Sequence, residues 1–314
     1  MNYIIGIDMG GTWLRIAIAN LDYKIINKAY IKMKELLESP SIIDSLEKII
    51  RKFAGDRINE VIEIGFAAAG KLDLNKMLIV FSPNSSLRNL SLSPLEEKLK
   101  KPIKLINDGV AAALAEWKIG SGVNHDNFVY VNIGSGIGGG IIVDEHLLIG
   151  KEGNAHEFGH MIIDIHGTLV CRCGGRGHWE AYTSGNGLLN YCSFLAKSFE
   201  IRTEFLNKVL SGNFTSREVF EYARIGDEFA YYVVKEANRL NGIGLANLIN
   251  LYDPSIISMG GSVVINNIDM IINPLRFYIK ELSFNTPPDI VPSKLGENAP
   301  LIGAMIFARE YNEF

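Results

Sequence analysis

The chain has 314 residues, 47% of them hydrophobic and 21% charged, with a net charge of −4 and an isoelectric point near 5.9. This is globular composition with ample apolar material for a core, and the length suggests two domains. Lysine and arginine never gather into the long run that a nucleic-acid surface needs, and Lys98, Lys100 and Lys101 read as a solvated helix end.

No uninterrupted apolar stretch is long enough to span a bilayer, so no membrane association is expected. The opening residues lack the basic, apolar and small-residue succession of a secretory signal, which points to the cytoplasm. Three cysteines are too few for a disulfide framework, and Cys171 and Cys173 stand as a Cys-x-Cys pair suited to a metal.

Residues 3–8 form a short apolar run ending in Asp8, a buried strand. Gly10-Gly11-Thr12 turns into a strand over 13–20, and Asp22-Tyr23 turns into a third over 24–33. Apolar residues at 42, 43, 46, 49, 50 and 53 predict a helix with Ser41 as N-cap. Strands follow at 61–67 and 103–106, with a short helix at 94–100 and a small-residue helix from Asp108. The opening pattern then returns. A strand over 128–133, the turn Gly134-Ser135-Gly136 and a strand over 138–144 overlay the first hairpin, Gly134 on Gly10 and Asn132 on Asp8. A duplicated β-turn-β-turn-β unit is the expectation. Residues 150–185 read as a functional loop, 186–250 as helices, 255–259 as a strand, and 269–282 and 300–312 as helices.

Five motifs carry chemistry. In Asp8-Met9-Gly10-Gly11-Thr12, with Arg15 beyond, the glycines let backbone N–H groups approach a phosphate, Thr12 adds a donor, and Asp8 holds Mg²⁺ through water. Gly134-Ser135-Gly136-Ile137-Gly138-Gly139-Gly140 is a second phosphate candidate, since so many glycines weaken a hairpin unless something lies against it. No Gly-Lys-Ser/Thr follows it, and a strand rather than a helix does, which excludes a P-loop and a Rossmann turn. Asn107-Asp108 ends a strand and opens a helix. Asp108 is placed to accept a hydroxyl proton during phosphoryl transfer, while the local alternative is a helix cap. Glu157-Phe158-Gly159-His160 and Cys171-Arg172-Cys173-Gly174-Gly175-Arg176-Gly177-His178-Trp179-Glu180 offer zinc ligands, with Glu157 and Glu180 as acceptors for sugar hydroxyls. Gly260-Gly261 after a strand leaves room for a nucleotide.

Together, in this order and spacing, these motifs resemble the ROK family of sugar kinases and sugar-sensing repressors, within the superfamily of actin, hexokinase and chaperone ATPases. The resemblance covers nearly the whole chain. It implies an α/β, two-domain actin/hexokinase-like (ribonuclease H-like) fold with a cleft, each domain built on a mixed five-stranded sheet. The domains are expected at 1–107 plus 300–314, and at 108–299. ATP with Mg²⁺ would lie against Asp8, Gly10, Gly11, Thr12, Arg15, Gly134, Ser135, Gly136, Gly260 and Gly261. The hexose would be held by Asn84, Asn107, Asp108, Glu157, His160, Glu180 and Gly70, with Asp108 as general base.

The family's zinc, held by one His and three Cys, would here rest on His160 (or His156), Cys171, Cys173 and His178. His178 stands where the family has its third cysteine, so the expected site is two His and two Cys. Cys192 reads as core. The family is commonly homodimeric. The expected activity is phosphorylation of the C6 hydroxyl of glucose and related aldohexoses (mannose, glucosamine, N-acetylglucosamine). The alternatives are a fructokinase, an N-acetylhexosamine kinase or a sugar-sensing regulator. The regulators carry an N-terminal helix-turn-helix domain, for which a phosphate motif starting at residue 8 leaves no room.

Overall fold

A computed structural model describes residues 2–82 and 87–311. In chain order the elements are β1 (Tyr3–Met9), β2 (Trp13–Ala19), β3 (Ile25–Lys32), α1 (Met33–Leu37), α2 (Ile42–Ala54), β4 (Val61–Ala68), β5 (Lys71–Asp73), β6 (Leu78–Ser82), β7 (Leu87–Ser91), α3 (Ser93–Leu99), β8 (Ile103–Asn107) and α4 (Asp108–Ile119). There follow β9 (Phe128–Ile133), β10 (Ile137–Val143), β11 (His146–Leu147), α5 (Glu180–Thr183), α6 (Gly185–Leu195), α7 (Glu204–Leu210), α8 (Ser216–Arg224) and α9 (Glu228–Tyr252). The last are β12 (Ile256–Gly260), α10 (Ser262–Ile265), α11 (Ile268–Leu282), β13 (Asp289–Pro292) and α12 (Ala299–Glu310).

Two five-stranded sheets repeat one topology. The first has the order β3-β2-β1-β4-β8 and the second β11-β10-β9-β12-β13. In the first, β1 is antiparallel to β2 and parallel to β4, which is parallel to β8. In the second, β9 is antiparallel to β10 and parallel to β12, which is parallel to β13. The hairpins differ by one residue in their turns: Met9 pairs with Leu14 around four residues, and Ile133 pairs with Ile137 around three. The duplication expected from the glycine turns is therefore present in the topology.

The chain divides into two compact units. The first holds the described residues of 1–123, 147–156 and 297–314, and the second holds 124–146 and 157–296. This division differs from the boundary read after Asn107, for a packing reason. Helix α4 is buried from Val110 to Glu116, and Ala111 touches α12 so closely that a Cβ on Gly303 would lie 1.7 Å from its carbonyl oxygen. The segment 147–156 also joins the first unit. Asn154 accepts from the Leu72 N–H at 3.3 Å and donates to the Leu72 carbonyl at 3.0 Å.

In the first unit α12 lies against strand backbone. A Cβ on Gly6 would come 2.5 Å from the Leu301 carbonyl oxygen, and one on Gly65 would come 1.9 Å from that of Ala304. Leu301 and Met305 fill the gap against Ile4, Ala17 and Ala19. On the opposite face Leu46, Ile50 and Ala54 of α2 pack with Ile5, Ile7 and Leu14. Ser41 caps α2 by accepting from the Asp44 N–H at 3.3 Å, as its sequence predicts. The small sheet β5-β6-β7 is absent from the sequence reading, because its strands are short and carry no long alternation.

In the second unit α9 is started by Asp227, which accepts from the Ala230 N–H, and packs along α11. Gly242 lets the two helices approach, since a Cβ there would meet Tyr278 at 2.4 Å.

A side chain at Gly303 has nowhere to go, whereas a Cβ at Gly138 would meet no atom within 4 Å. Gly303→Ala should therefore lower unfolding free energy by about 1–3 kcal/mol or more, read as a shifted denaturant midpoint at unchanged slope. Gly138→Ala should leave the midpoint near its original place.

Candidate functional site

In the first unit the hairpin β1–β2 presents Gly10, Gly11 and Thr12 at its tip, with Gly10 N–H donating to the Trp13 carbonyl at 3.0 Å and Thr12 exposed. Asp8 is 1% exposed on a central strand, and across the β1–β2 register its partner is Arg15. Arg15 Nη2 pairs with Asp8 Oδ2 at 2.5 Å, and Arg15 Nη1 donates to the Glu297 carbonyl at 2.9 Å. The Glu297 carboxylate in turn accepts from Tyr30 Oη at 2.8 Å and Lys28 Nζ at 3.1 Å. Arg15 is thus held on two sides by protein, which makes it a counter-ion for Asp8 before anything else.

Burial pushes the Asp8 carboxyl up to about 7. Arg15 opposes the shift and the nearby Asp108 adds to it. Asp8 Oδ1 has no hydrogen-bond partner among the described residues. A buried, unpartnered carboxylate oxygen in reach of a second carboxylate fits a divalent cation such as Mg²⁺, whose charge would offset both.

Asp108 opens α4, and its neighbour Asn107 is the cap. Asn107 Oδ1 accepts from the N–H groups of Gly109 at 2.8 Å and Val110 at 3.4 Å, and its Nδ2 donates to the Gly70 carbonyl at 3.4 Å. Asn107 is thus the cap, and half-buried Asp108 sits in the first helical turn, its Oδ1 also accepting from the Gly109 N–H at 2.9 Å. Gly70 takes a φ of 105°, which its lack of a side chain permits, and contributes its carbonyl to that bond. Asn84 lies outside the described residues.

In the second unit the hairpin β9–β10 has its own braces. Gly185 N–H donates to the Gly134 carbonyl at 2.7 Å, and Asn186 Nδ2 donates to the Ser135 carbonyl at 2.7 Å. Ile137 N–H donates to Glu180 Oε2 at 2.8 Å. A Cβ on Gly134 would meet nothing nearer than 3.6 Å, so no internal packing demands glycine there or at Gly138. That open cradle fits a phosphate laid against backbone. At Gly136 the cause is internal, since a Cβ would lie 2.4 Å from Glu180 Oε2. The same holds for Gly260 and Gly261. Their Cβ atoms would strike Tyr130 Oη at 2.2 Å and the Ile133 carbonyl oxygen at 2.3 Å.

His160, Cys171, Cys173 and His178 converge, with one ligand atom from each lying within 4.8 Å of all the others. His160 Nδ1 is 3.3 Å from His178 Nδ1 and 3.8 Å from Cys171 Sγ, and Cys173 Sγ is 3.3 Å from His178 Nδ1. Tetrahedral zinc with Zn–N near 2.0–2.1 Å and Zn–S near 2.3 Å gives ligand separations of roughly 3.3–3.8 Å, so the cluster fits the ion. His178 occupies the fourth position through Nδ1, and room for its ring comes from Gly175, whose Cβ would lie 2.2 Å from it. His156, the alternative ligand in the sequence reading, lies outside this cluster. Glu157 Oε2 stands 3.3 Å from His160 Nε2 and lifts the imidazole to about 9. The same carboxylate would fix the Nε2–H tautomer and leave Nδ1 for a metal. Cys192 is fully buried, as a core cysteine.

Two supports were not singled out in the sequence. Trp179, between His178 and Glu180, is fully buried and donates from Nε1 to Asn241 Oδ1 at 2.8 Å. Its ring lies over Gly244, where a Cβ would come within 2.5 Å. Asp164 closes the loop before the cysteines by accepting from His166 N–H at 3.0 Å, Thr168 N–H at 2.9 Å and Tyr182 Oη at 2.5 Å. The glycines at 242 and 244 inside a helix were the available signal for the first.

The ROK family profile matches residues 4–311. The chain belongs to the ROK family. A glucokinase of Aeropyrum pernix is 33% identical over 98% of this chain and 97% of its own length. The xylose repressor of Bacillus subtilis is 30% identical over 96% of this chain, which covers 75% of the repressor. A ROK glucokinase from Streptomyces griseus, solved with glucose and AMPPNP, superposes with a TM-score of 0.78 at 29% identity, covering 98% of this chain and 100% of that one. No helix among the described residues is long and apolar enough to cross a membrane.

Metal analysis of the purified ROK protein is expected to give one zinc per chain. His178→Ala should lose zinc to a competing chelator, and His178→Cys should keep it. A separate test concerns acid stability. Burial raises the Asp164 carboxyl, but the hydrogen bonds from Tyr182, Thr168 and His166 outweigh it and hold it near 2. A folded value below the unfolded 3.8 adds stability above about pH 4 that is lost as pH falls toward 2. Asp164→Asn should flatten that part of the acid slope, read as the unfolding midpoint at pH 7 against pH 3.

Proposed function

We propose that this ROK protein is an ATP-dependent hexokinase, transferring the γ-phosphoryl group to the C6 hydroxyl of glucose and of related aldohexoses such as mannose, glucosamine and N-acetylglucosamine. The observation that carries the reading is Asp108, half-buried in the first turn of α4 and fixed there by the Asn107 cap, within electrostatic reach of Asp8. A repressor needs sugar binding alone, whereas a carboxylate placed to orient a hydroxyl, beside a buried aspartate able to hold a cation, suits phosphoryl transfer.

The proposed roles follow from the chain's own groups. Asp108 accepts the hydroxyl proton as the sugar oxygen bonds to the γ-phosphorus and the bond to the leaving ADP oxygen breaks. Asp8, whose ionised form Arg15 favours against burial, would hold water around a bound cation. When bound, Mg²⁺ neutralises charge on the transferring phosphates. Backbone N–H groups around Gly10-Gly11-Thr12 and Gly134-Ser135-Gly136 receive phosphate oxygens, and Gly260-Gly261 borders the nucleoside. Glu157 and Glu180 accept from sugar hydroxyls, with His160 held by zinc and Glu157. Asn84 and Gly70 belong to the same sugar-facing reading. The working form is taken as a cytoplasmic homodimer that binds neither nucleic acid nor membrane.

The test is ADP release with Mg-ATP against glucose, mannose, their 2-amino and 2-N-acetyl forms, and fructose. Turnover on one or more aldohexoses is expected. Asp108→Asn should keep sugar binding and lose about 10²-fold or more in kcat. Turnover on fructose alone would make it a fructokinase. Sugar binding without turnover in the wild type would favour a regulator, the role of its xylose-repressor relative.

A further inference from the structure

Glu180 divides its carboxylate between two structures that the sequence keeps far apart. Oε2 accepts the Ile137 N–H at 2.8 Å, at the point where the second glycine turn becomes β10. Oε1 lies 3.6 Å from Cys171 Sγ, one of the four residues of the metal cluster. The turn is fitted to this carboxylate, for a Cβ on Gly136 would stand 2.4 Å from Oε2. Glu180 is also two residues beyond His178 in sequence, with fully buried Trp179 between them as a fixed pivot. Any shift of His178 therefore reaches the turn through one side chain. The turn's other braces are its own Gly134 N–H on the Gly136 carbonyl at 3.0 Å, the Gly185 N–H on Gly134, and Asn186 on Ser135.

We propose that Glu180 is a positioning residue that couples the Cys/His metal cluster to the glycine turn 134–136, so that nucleotide affinity depends on whether the cluster holds zinc. Zinc takes Cys171 as a thiolate, which ends its donor contact to Oε1, so the link runs through His178. The ion fixes His178, His178 sets Glu180 through the buried Trp179 pivot, and the carboxylate holds the Ile137 N–H and with it the phosphate-facing backbone. Because the coupling is an equilibrium property it is reciprocal, and nucleotide must tighten zinc by the same factor. No sugar is involved, which separates this role from any contact of Glu180 with substrate. The proposal rests on the reading that the turn receives nucleotide phosphate.

The experiment measures ADP binding by calorimetry, without sugar, in zinc-loaded and chelator-stripped protein, for wild type and Glu180→Ala. Wild type should bind ADP at least about 5-fold more tightly when loaded, and the variant should show a ratio near one. In parallel, zinc release to a chromogenic chelator from loaded wild type should weaken by the same factor under saturating ADP. That second readout stands even if stripped protein loses its fold, which circular dichroism would reveal. Gly136→Ala, which displaces the carboxylate while leaving Glu180 in place, should likewise reduce the ratio. An equal ADP affinity with and without zinc in folded wild type overturns the coupling. So does an undiminished ratio in Glu180→Ala, which would route it elsewhere. If loaded wild type binds no ADP at all, the kinase reading beneath the proposal fails with it.

Discussion

The first unit is organised around a charge that should not be buried alone. Removing a carboxylate from water costs several kcal/mol unless a partner compensates, and Asp8 sits on the central strand of its sheet with 1% exposure. Arg15 is that partner, delivered by antiparallel register from the next strand. The guanidinium is steadied by the Glu297 carbonyl, two residues before α12 begins, and the Glu297 carboxylate is steadied by Tyr30 and Lys28 on β3. One ion pair thus sets the alignment of three strands and the entry point of the helix covering them. The compensation is incomplete, since burial still lifts the Asp8 carboxyl to about 7. That residual instability is what a bound cation would relieve.

The second unit solves a different problem with similar parts. Its hairpin carries Asn132 where the first carries Asp8, so no buried charge organises it. Order comes instead from the long loop, pinned at Trp179 to α9 and at Asp164 to its own backbone. Two copies of one topology have therefore diverged in what stabilises them, one by a buried ion pair and the other by a cluster of soft ligands and an indole.

Much of this was legible in the sequence, for definite reasons. The glycine turns, strand runs and the Ser41 cap are local signals, and local signals survive folding. The convergence of Cys171, Cys173 and His178 was expected from the resemblance to the family's zinc site, which left His160 and His156 as alternatives, and the structure brings in His160. Less visible was the purpose of individual glycines. Gly260 and Gly261 look like ligand contacts in a string of letters, yet their side-chain space is taken by Tyr130 and the Ile133 carbonyl, residues distant in sequence. The second anchor of Arg15, Glu297, was equally out of view because it is far along the chain. The domain boundary shifted because helix-to-helix contact between α4 and α12 leaves no trace in periodicity. Asn107 and Asp108 show the limit most plainly. Cap and base were posed as alternatives for the pair, and only geometry could show that Asn107 supplies the cap.

The route of the chain also bears on how the protein is made. Strands β1 to β8 are synthesised first, but their sheet is covered on one face by α12, which follows every other described element. Gly6 and Gly65 leave bare backbone on that face until Leu301, Ala304 and Met305 arrive. During translation the early sheet must therefore wait, half-covered, while the whole second unit is threaded out and given time to fold. Contacts of such sequence separation are slow to form, and an open apolar sheet face is a hazard for aggregation meanwhile. The first unit to leave the ribosome is thus the last to close.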